Sequence, residues 1–315
     1  MTEGTSEIAR TGEGAVPGPA ATPRWRVRSR TLRHFLNKPL AIAGAVVLAL
    51  LLLASFLAPV IAPQNPYDLS VLDMAQSLKP PVWMEGGAMP FVLGTDIQGR
   101  DILSTMLYGS RTSFVVGFSV VILASVIGTT IGLLSGFYGG IIDTVSMRLA
   151  DSLLAFSTTL IAMLFLGLFK ASSVLLVIVA ITIVDWVQYA RTIRGSVLSV
   201  KQEDYVLAAR SVGAGNRRII FRHILPNALS PLLVIAAVNF AVVVMLEATL
   251  SFLGVGVPIT EPSLGMLIAQ GKDFIYAGMW YLVVFPGLVL MAIVFSLNVI
   301  ADWLRDEIDP RVMKG

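Results

Sequence analysis

Six stretches of this chain are apolar for about twenty residues or more, at roughly 40–61, 112–136, 147–169, 172–193, 228–253 and 279–301. Each is long enough to carry a helix across a hydrocarbon core of about 30 Å. Backbone amides find no water there, so a chain with several such runs must close its hydrogen bonds inside helices. The expected fold is an all-α membrane protein, a polytopic bundle of about six transmembrane helices. Composition agrees, with 56% of the 315 residues hydrophobic and 14% charged, against about 45–50% and about 25% in soluble domains. The chain has no cysteine, which excludes disulfides and thiolate metal sites.

An even number of spans puts both termini on one side, and cytoplasmic flanks collect Lys and Arg. Seven basic residues precede or border the first span (Arg10, Arg24, Arg26, Arg28, Arg30, Arg33 and Lys38), and seven more lie from Arg191 to Arg222. With Arg148, Arg305, Arg311 and Lys314 this side holds 18 of the 23, leaving Lys79, Arg100, Arg111, Lys170 and Lys272 for the other. The expectation is a multi-pass protein of the cytoplasmic (inner) membrane with both termini in the cytoplasm. Charge placed against a membrane also explains the net +3 better than nucleic acid does.

Four parts follow. Residues 1–37 form a cytoplasmic basic tail whose Gly-, Ala- and Pro-rich beginning cannot bury a core; its alternation of basic and apolar residues at 24–38 suits an interfacial helix or a simple positive flank. The first apolar run exceeds a signal peptide's core of about 7–15 residues and reads as a retained anchor. Residues 38–111 hold the first span and an extracytoplasmic segment made irregular by Pro63, Pro66, Pro80, Pro81 and Pro90. The core spans occupy 112–301, and 302–315 form a cytoplasmic tail. Within the second span Gly128, Gly132 and Gly136 share one face, which predicts a close helix contact inside the bundle or across a subunit interface.

The basic loop at 199–226 is punctuated. Ser199 three residues before Gln202 suits a capping box, and a short helix is expected over 202–212. Gly213 would close it in the left-handed conformation. Asn216 would cap a second short helix bearing Ile219, Ile220 and Ile224, and Pro226 would stop the chain before the next span. Ala208 and Ala209 leave room for a partner to approach, so the loop reads as a basic knob for docking.

That loop resembles the cytoplasmic "EAA" loop of ABC importer permeases, in which Glu-Ala-Ala is followed after three residues by glycine and after nine more by Ile-x-Leu-Pro. Ala208, Ala209, Gly213, Leu225 and Pro226 are in register, while Leu207 stands for the Glu and His223 for the Ile. LGTDIQGRD (93–101), YGSRTS (108–113), LADSLLAF (149–156), ARTIRG (190–195), RHILPN (222–227) and LSFLGVGVP (250–258) narrow the resemblance to the dipeptide/oligopeptide (also nickel) type, C-type transmembrane subunit. Ser157 departs from a usual proline, which puts a kink of the third span in doubt, and Leu264 from a common tryptophan.

The resemblance implies a homologous permease subunit as partner, two ATP-binding subunits, an extracytoplasmic substrate-binding protein and membrane lipid, with no nucleic acid. It implies that Leu207, Ala208, Ala209, Arg210, Gly213, Arg217, Arg218, His223, Leu225 and Pro226 form the ATPase-coupling loop. No cofactor is expected in this chain, since Gly271-Lys272-Asp273 lacks the spacing and hydroxyl of a phosphate loop; ATP and Mg belong to the partners. Di- or oligopeptides are the expected cargo.

Acids deep in a span cost about 2.5–3.5 kcal/mol on insertion scales and usually face the bundle interior. Asp185 and Glu247 are the deepest. They either line the translocation pathway or hold helices together by buried hydrogen bonds. Asp151 is expected to pair with Arg148 one turn away. Two histidines, His34 and His223, cannot make a metal site, and no nucleophile stands in a recognisable triad, so no catalytic residue is assigned. The alternative function class is a secondary, ion-coupled transporter or channel, but inverted repeats and broken helices typical of such folds are not evident.

Overall fold

The computed structural model describes Phe35 and residues 37–68, 73–169 and 173–308. The residues from Pro39 onward form one compact unit; the interfacial helix expected at 24–38 lies almost wholly outside the described residues. Among those described there is no strand, only helices: α1 (Pro39–Phe56), α2 (Ile102–Tyr138), α3 (Gly140–Leu154), α4 (Thr158–Phe169), α5 (Val174–Val200), α6 (Asp204–Ser211), α7 (Asn216–Ile219), α8 (Leu225–Phe252), α9 (Leu264–Gly271) and α10 (Tyr281–Ile308). Helices α1, α2, α5, α10 and the run Asn216–Phe252 are each long and apolar enough to cross a membrane, and the bent pair α3–α4 makes a sixth candidate.

Helix α2 has 37 residues, about 55 Å at 1.5 Å per residue, and starts ten residues before the expected span. Hydropathy misses these ten residues because their polar groups are used inside. The Asp101 carboxylate caps the helix, accepting from Ser104 N and Oγ at 2.7 and 2.6 Å. Thr105 and Ser110 hydroxyls donate back to carbonyls four residues earlier. Burial pushes the Asp101 carboxyl above its ordinary value, against those Ser104 bonds.

The third span is not one helix over 147–169. Helices α3 and α4 meet at 90° across Ala155, Phe156 and Ser157, so the bend exists without the family's proline. Ser157, Thr158 and Thr159 are poor helix formers whose hydroxyls compete for backbone groups. Asp151 pairs not with Arg148 but with Arg191 on α5, because the crossing helix offers a guanidinium across the groove.

The glycine face settles a second question. A Cβ on Gly128 would lie 2.5 Å from the Trp186 carbonyl, on Gly132 2.5 Å from the Ala190 carbonyl, and on Gly136 2.8 Å from Val197 Cβ. The close partner is therefore α5 of the same chain. Ile102, Phe114, Phe240, Leu264, Tyr281 and Ile293 join α2, α8, α9 and α10 in the main apolar cluster; Leu264, in the place of the tryptophan, is fully buried there. At the chain's end α10 continues to Ile308, through residues assigned by sequence to the tail, since DWLRDEI is a sound helical sequence.

Candidate functional site: the basic knob and the buried acids

The loop between α5 and α8 folds as a knob. α5 runs on to Val200, so Ser199 is helical and the expected capping box does not form; only its carbonyl is used, accepting from Gln202 N. α6 is shorter than the expected 202–212. It closes as a Schellman motif, with Gly213 N donating to the Arg210 carbonyl at 2.9 Å and Ala214 N to the Ala209 carbonyl at 3.0 Å. Gly213 has φ +82°, as expected. Asn216 does not cap the second helix; it is that helix's first residue, with Gly215 at the cap position.

Pro226 does not stop the chain. Residues Ile220–Ile224 form a π-helical turn that passes directly into α8, with Pro226 in its first turn. A proline there cannot donate to the carbonyl of residue 222, and its ring crowds that group. Widening the turn lets Leu225 N reach the Ile220 carbonyl. The second leg of the knob is thus continuous with a membrane span.

Apolar side chains seat the knob on the bundle. Val206, Ile219, Ile220 and Ile224 are buried with Leu133 and Phe137 of α2, Ile193 and Val197 of α5 and Ala228 of α8. Lys201 Nζ donates to the Gly136 carbonyl at 3.0 Å, and the Arg210 guanidinium lies over the Phe137 ring. Asn227 Nδ2 donates to the Tyr205 hydroxyl at 3.1 Å and the His223 carbonyl at 2.6 Å, while the His223 and Tyr205 rings are neighbours. His223 therefore ties the two legs together. The opposite surface is open: Leu207, Ala208, Arg210, Val212, Gly213, Arg217, Arg218 and Pro226 are exposed, with Ala209, His223 and Leu225 half-buried.

The acids sit elsewhere. Glu247 on α8 is 0% exposed and accepts from three hydroxyls, Ser113 on α2 at 2.7 Å and Ser251 and Ser263 at 2.9 Å each. It bridges α2, α8 and the approach to α9. Asp185 on α5 accepts from Asn239 Nδ2 on α8, which also reaches the Tyr189 hydroxyl. Asp143 on α3 takes Arg194 of α5 through Nε and Nη2, with Ser135 donating at 2.6 Å. A buried ion pair, Asp96–Arg100 at 2.7 Å, stands before α2, and Arg100 also donates to the Ile259 carbonyl at 3.4 Å. Sequence reasoning gave none of the acids' hydroxyl or amide partners, although Ser251 stands one turn from Glu247 and Asn239 is the lone amide of the apolar run 228–253. No group of three or more His, Cys, Asp and Glu that could hold a metal occurs among the described residues.

Residues 128–314 match the family described as binding-protein-dependent transport system inner membrane component. That stretch contains the knob, both deep acids and all spans after the middle of α2. The chain belongs to this family. Residues 28–81 match the N-terminal TM domain of oligopeptide transport permease C. The chain is 38% identical over 279 residues to the dipeptide transport system permease protein DppC of Haemophilus influenzae, covering 89% of this chain and 93% of that one. It is 35% identical over 286 residues to the oligopeptide transport system permease protein OppC of Bacillus subtilis, covering 89% and 88%, and 34% identical over 284 residues to the glutathione transport system permease protein GsiD of Pectobacterium atrosepticum, covering 89% and 90%. A multi-pass inner-membrane permease subunit accounts for the helices, the family membership and the buried polar pairs together.

Proposed function

We propose that this permease is one of two homologous subunits lining the translocation path of an ATP-driven importer, and that its cargo is di- or oligopeptides. Relatives named for dipeptide and oligopeptide transport favour that cargo over others. Two ATP-hydrolysing subunits dock on the cytoplasmic side, an extracytoplasmic binding protein delivers the cargo, and ATP with Mg is held by the partners alone. Both termini and the knob lie in the cytoplasm, in keeping with the excess of Lys and Arg there. Asp185, held by Asn239, is the pathway acid in this reading, and its proposed role is to meet a peptide's ammonium group. An ion-coupled mechanism finds no support in a family of binding-protein-dependent systems.

One observation carries the coupling: the exposed helix α6 turns at Gly213 onto a second leg, Asn216–Ile219, which passes through a π turn without interruption into α8. Motion of a motor gripping Leu207, Ala208 and Arg210 crosses the Gly213 elbow through the packing of Val206 and the Asn227–Tyr205 hydrogen bond, which hold the first leg to the second, and so reaches the membrane span. The membrane complex should copurify with two nucleotide-hydrolysing chains and take up peptide only with ATP. Peptide uptake by vesicles lacking any ATPase would overturn this reading.

Replacing Gly213 with Val tests the elbow. A Cβ there meets nothing within 4 Å, so the cost is conformational alone, about 1–2 kcal/mol for an L-residue at positive φ and more when β-branched. Gly213→Val should insert normally yet lose ATPase copurification and uptake, whereas Gly213→Asn, which tolerates that conformation, should retain most of both. Equal uptake by the native protein and Gly213→Val would count against the lever.

A further inference from the structure

Exposed aromatic residues crown one end of α10. Trp83, from the segment between α1 and α2, is 59% exposed; Tyr276, in the link between α9 and α10, is 100% exposed; Trp280, just before α10, is 43% exposed. They are not scattered. The Trp83 and Trp280 rings pack edge-on against Phe285, at 6.2 and 5.8 Å between centroids, so segments some 200 residues apart in sequence meet at the first turn of α10.

Along α10 below them, Val284, Leu288, Met291 and Phe295 are exposed at helical spacing. Beside them in sequence, Lys272 and Asp273 are exposed as well. An aliphatic stripe that passes into indole and phenol rings follows the polarity profile of a bilayer leaflet. Such rings bring an apolar body and a polar N–H or O–H tip, which suits the headgroup level and neither bulk water nor hydrocarbon.

We propose that Trp83, Tyr276 and Trp280 form an anchor in the membrane–water interface, seated among phospholipid headgroups, and that it draws the middle of the segment joining α1 and α2 down onto the bilayer. The occupant of this surface is lipid, because the rings continue the exposed face of a membrane span and leave their polar tips open. The segment, proline-rich and outside every span, already packs Leu78, Met84 and Leu93 against the bundle core; the anchor adds a tether to the bilayer at Trp83. This rests on α10 crossing the membrane and on nothing about ATP coupling or cargo.

The test reconstitutes the complete transporter in phosphatidylcholine brominated either just below the headgroup or at the chain ends, and reads tryptophan emission. Shallow bromines should quench a component that is lost in Trp83→Phe/Trp280→Phe and that deep bromines scarcely touch. An identical quenched component in the native and doubly substituted proteins places the rings in water or under another subunit, and overturns the anchor. Should that variant not assemble, the absence of native cysteine allows a nitroxide at Tyr276→Cys. Relaxation by both oxygen and a water-soluble nickel chelate supports the interface; relaxation by the chelate alone refutes it. Loss of ATPase copurification would strike the proposed function and leave this result standing.

Discussion

Replacing Gly132 with Leu is expected to leave no folded permease in the membrane. Its Cβ would fall 2.5 Å from the Ala190 carbonyl oxygen and 2.9 Å from Ile193 Cβ, and the nearer of these is backbone that no rotamer change can move. Helices α2 and α5 would have to separate along a seam that Gly128 and Gly136 hold just as tightly. In lipid, where packing and not hydrophobicity drives helix association, the lost contacts are not recovered by burying the new side chain. Overpacking of this kind costs about 3 kcal/mol, and the seam also carries Ile193 and Val197, on which the knob rests. Monodisperse yield after detergent extraction and the unfolding temperature report the outcome. Gly132→Ala should show a smaller loss of both. A Gly132→Leu protein of native yield and unfolding temperature would mean that the seam opens freely.

Removing the Glu247 side chain is the second large effect. Glu247→Ala strips the acceptor from Ser113, Ser251 and Ser263 at once and opens a cavity where α2, α8 and the approach to α9 converge. Leaving buried donors unpaired costs about 1–3 kcal/mol per group; with hydroxyls partly recovering backbone acceptors, about 2–4 kcal/mol in total is expected. Glu247→Gln separates the two roles weighed for this acid. The amide oxygen can still accept from Ser251 and Ser263, and the NH2 can donate to a rotated Ser113 hydroxyl, so folding is nearly preserved. Because the carboxylate is enclosed by this chain's own hydroxyls, peptide uptake by Glu247→Gln should stay close to native while Glu247→Ala loses folded protein. A Gln variant that assembles fully but fails to transport would restore the pathway role to Glu247 and leave Asp185 without its distinction.

The contrast between these sites and the knob shows what was legible in the chain. Length and apolarity alone required an all-helical bundle of about six spans, since continuous apolar runs of about twenty residues suit helices, whereas barrel strands are about 9–11 residues of alternating polarity. Gly213 announced its own positive φ, and the four-residue spacing of Gly128, Gly132 and Gly136 announced a close contact, because both are properties of a local backbone. What that glycine face touches was not local. Only the assembled bundle put Trp186, Ala190 and Val197 against it.

Other features turned on neighbours far along the chain. Asp151 chose Arg191 over Arg148, since a crossing helix can place a guanidinium where one turn of the same helix does not. The start of α2 was hidden from hydropathy because Ser104, Thr105, Ser110 and Ser113 spend their hydroxyls inside the protein. Pro226 read as a stop because proline removes a helical hydrogen bond, yet a π turn, with Leu225 N donating to the Ile220 carbonyl, makes room for it and joins the knob's second leg to α8. By itself, then, the sequence determined the class of fold, the knob and the identity of the deep acids, all of which follow from backbone chemistry and residue spacing. The tertiary structure alone decided which hydroxyls and amides those acids hold, which helix the glycines admit and that the knob is rigidly continued, because each depends on groups brought together only when the helices pack.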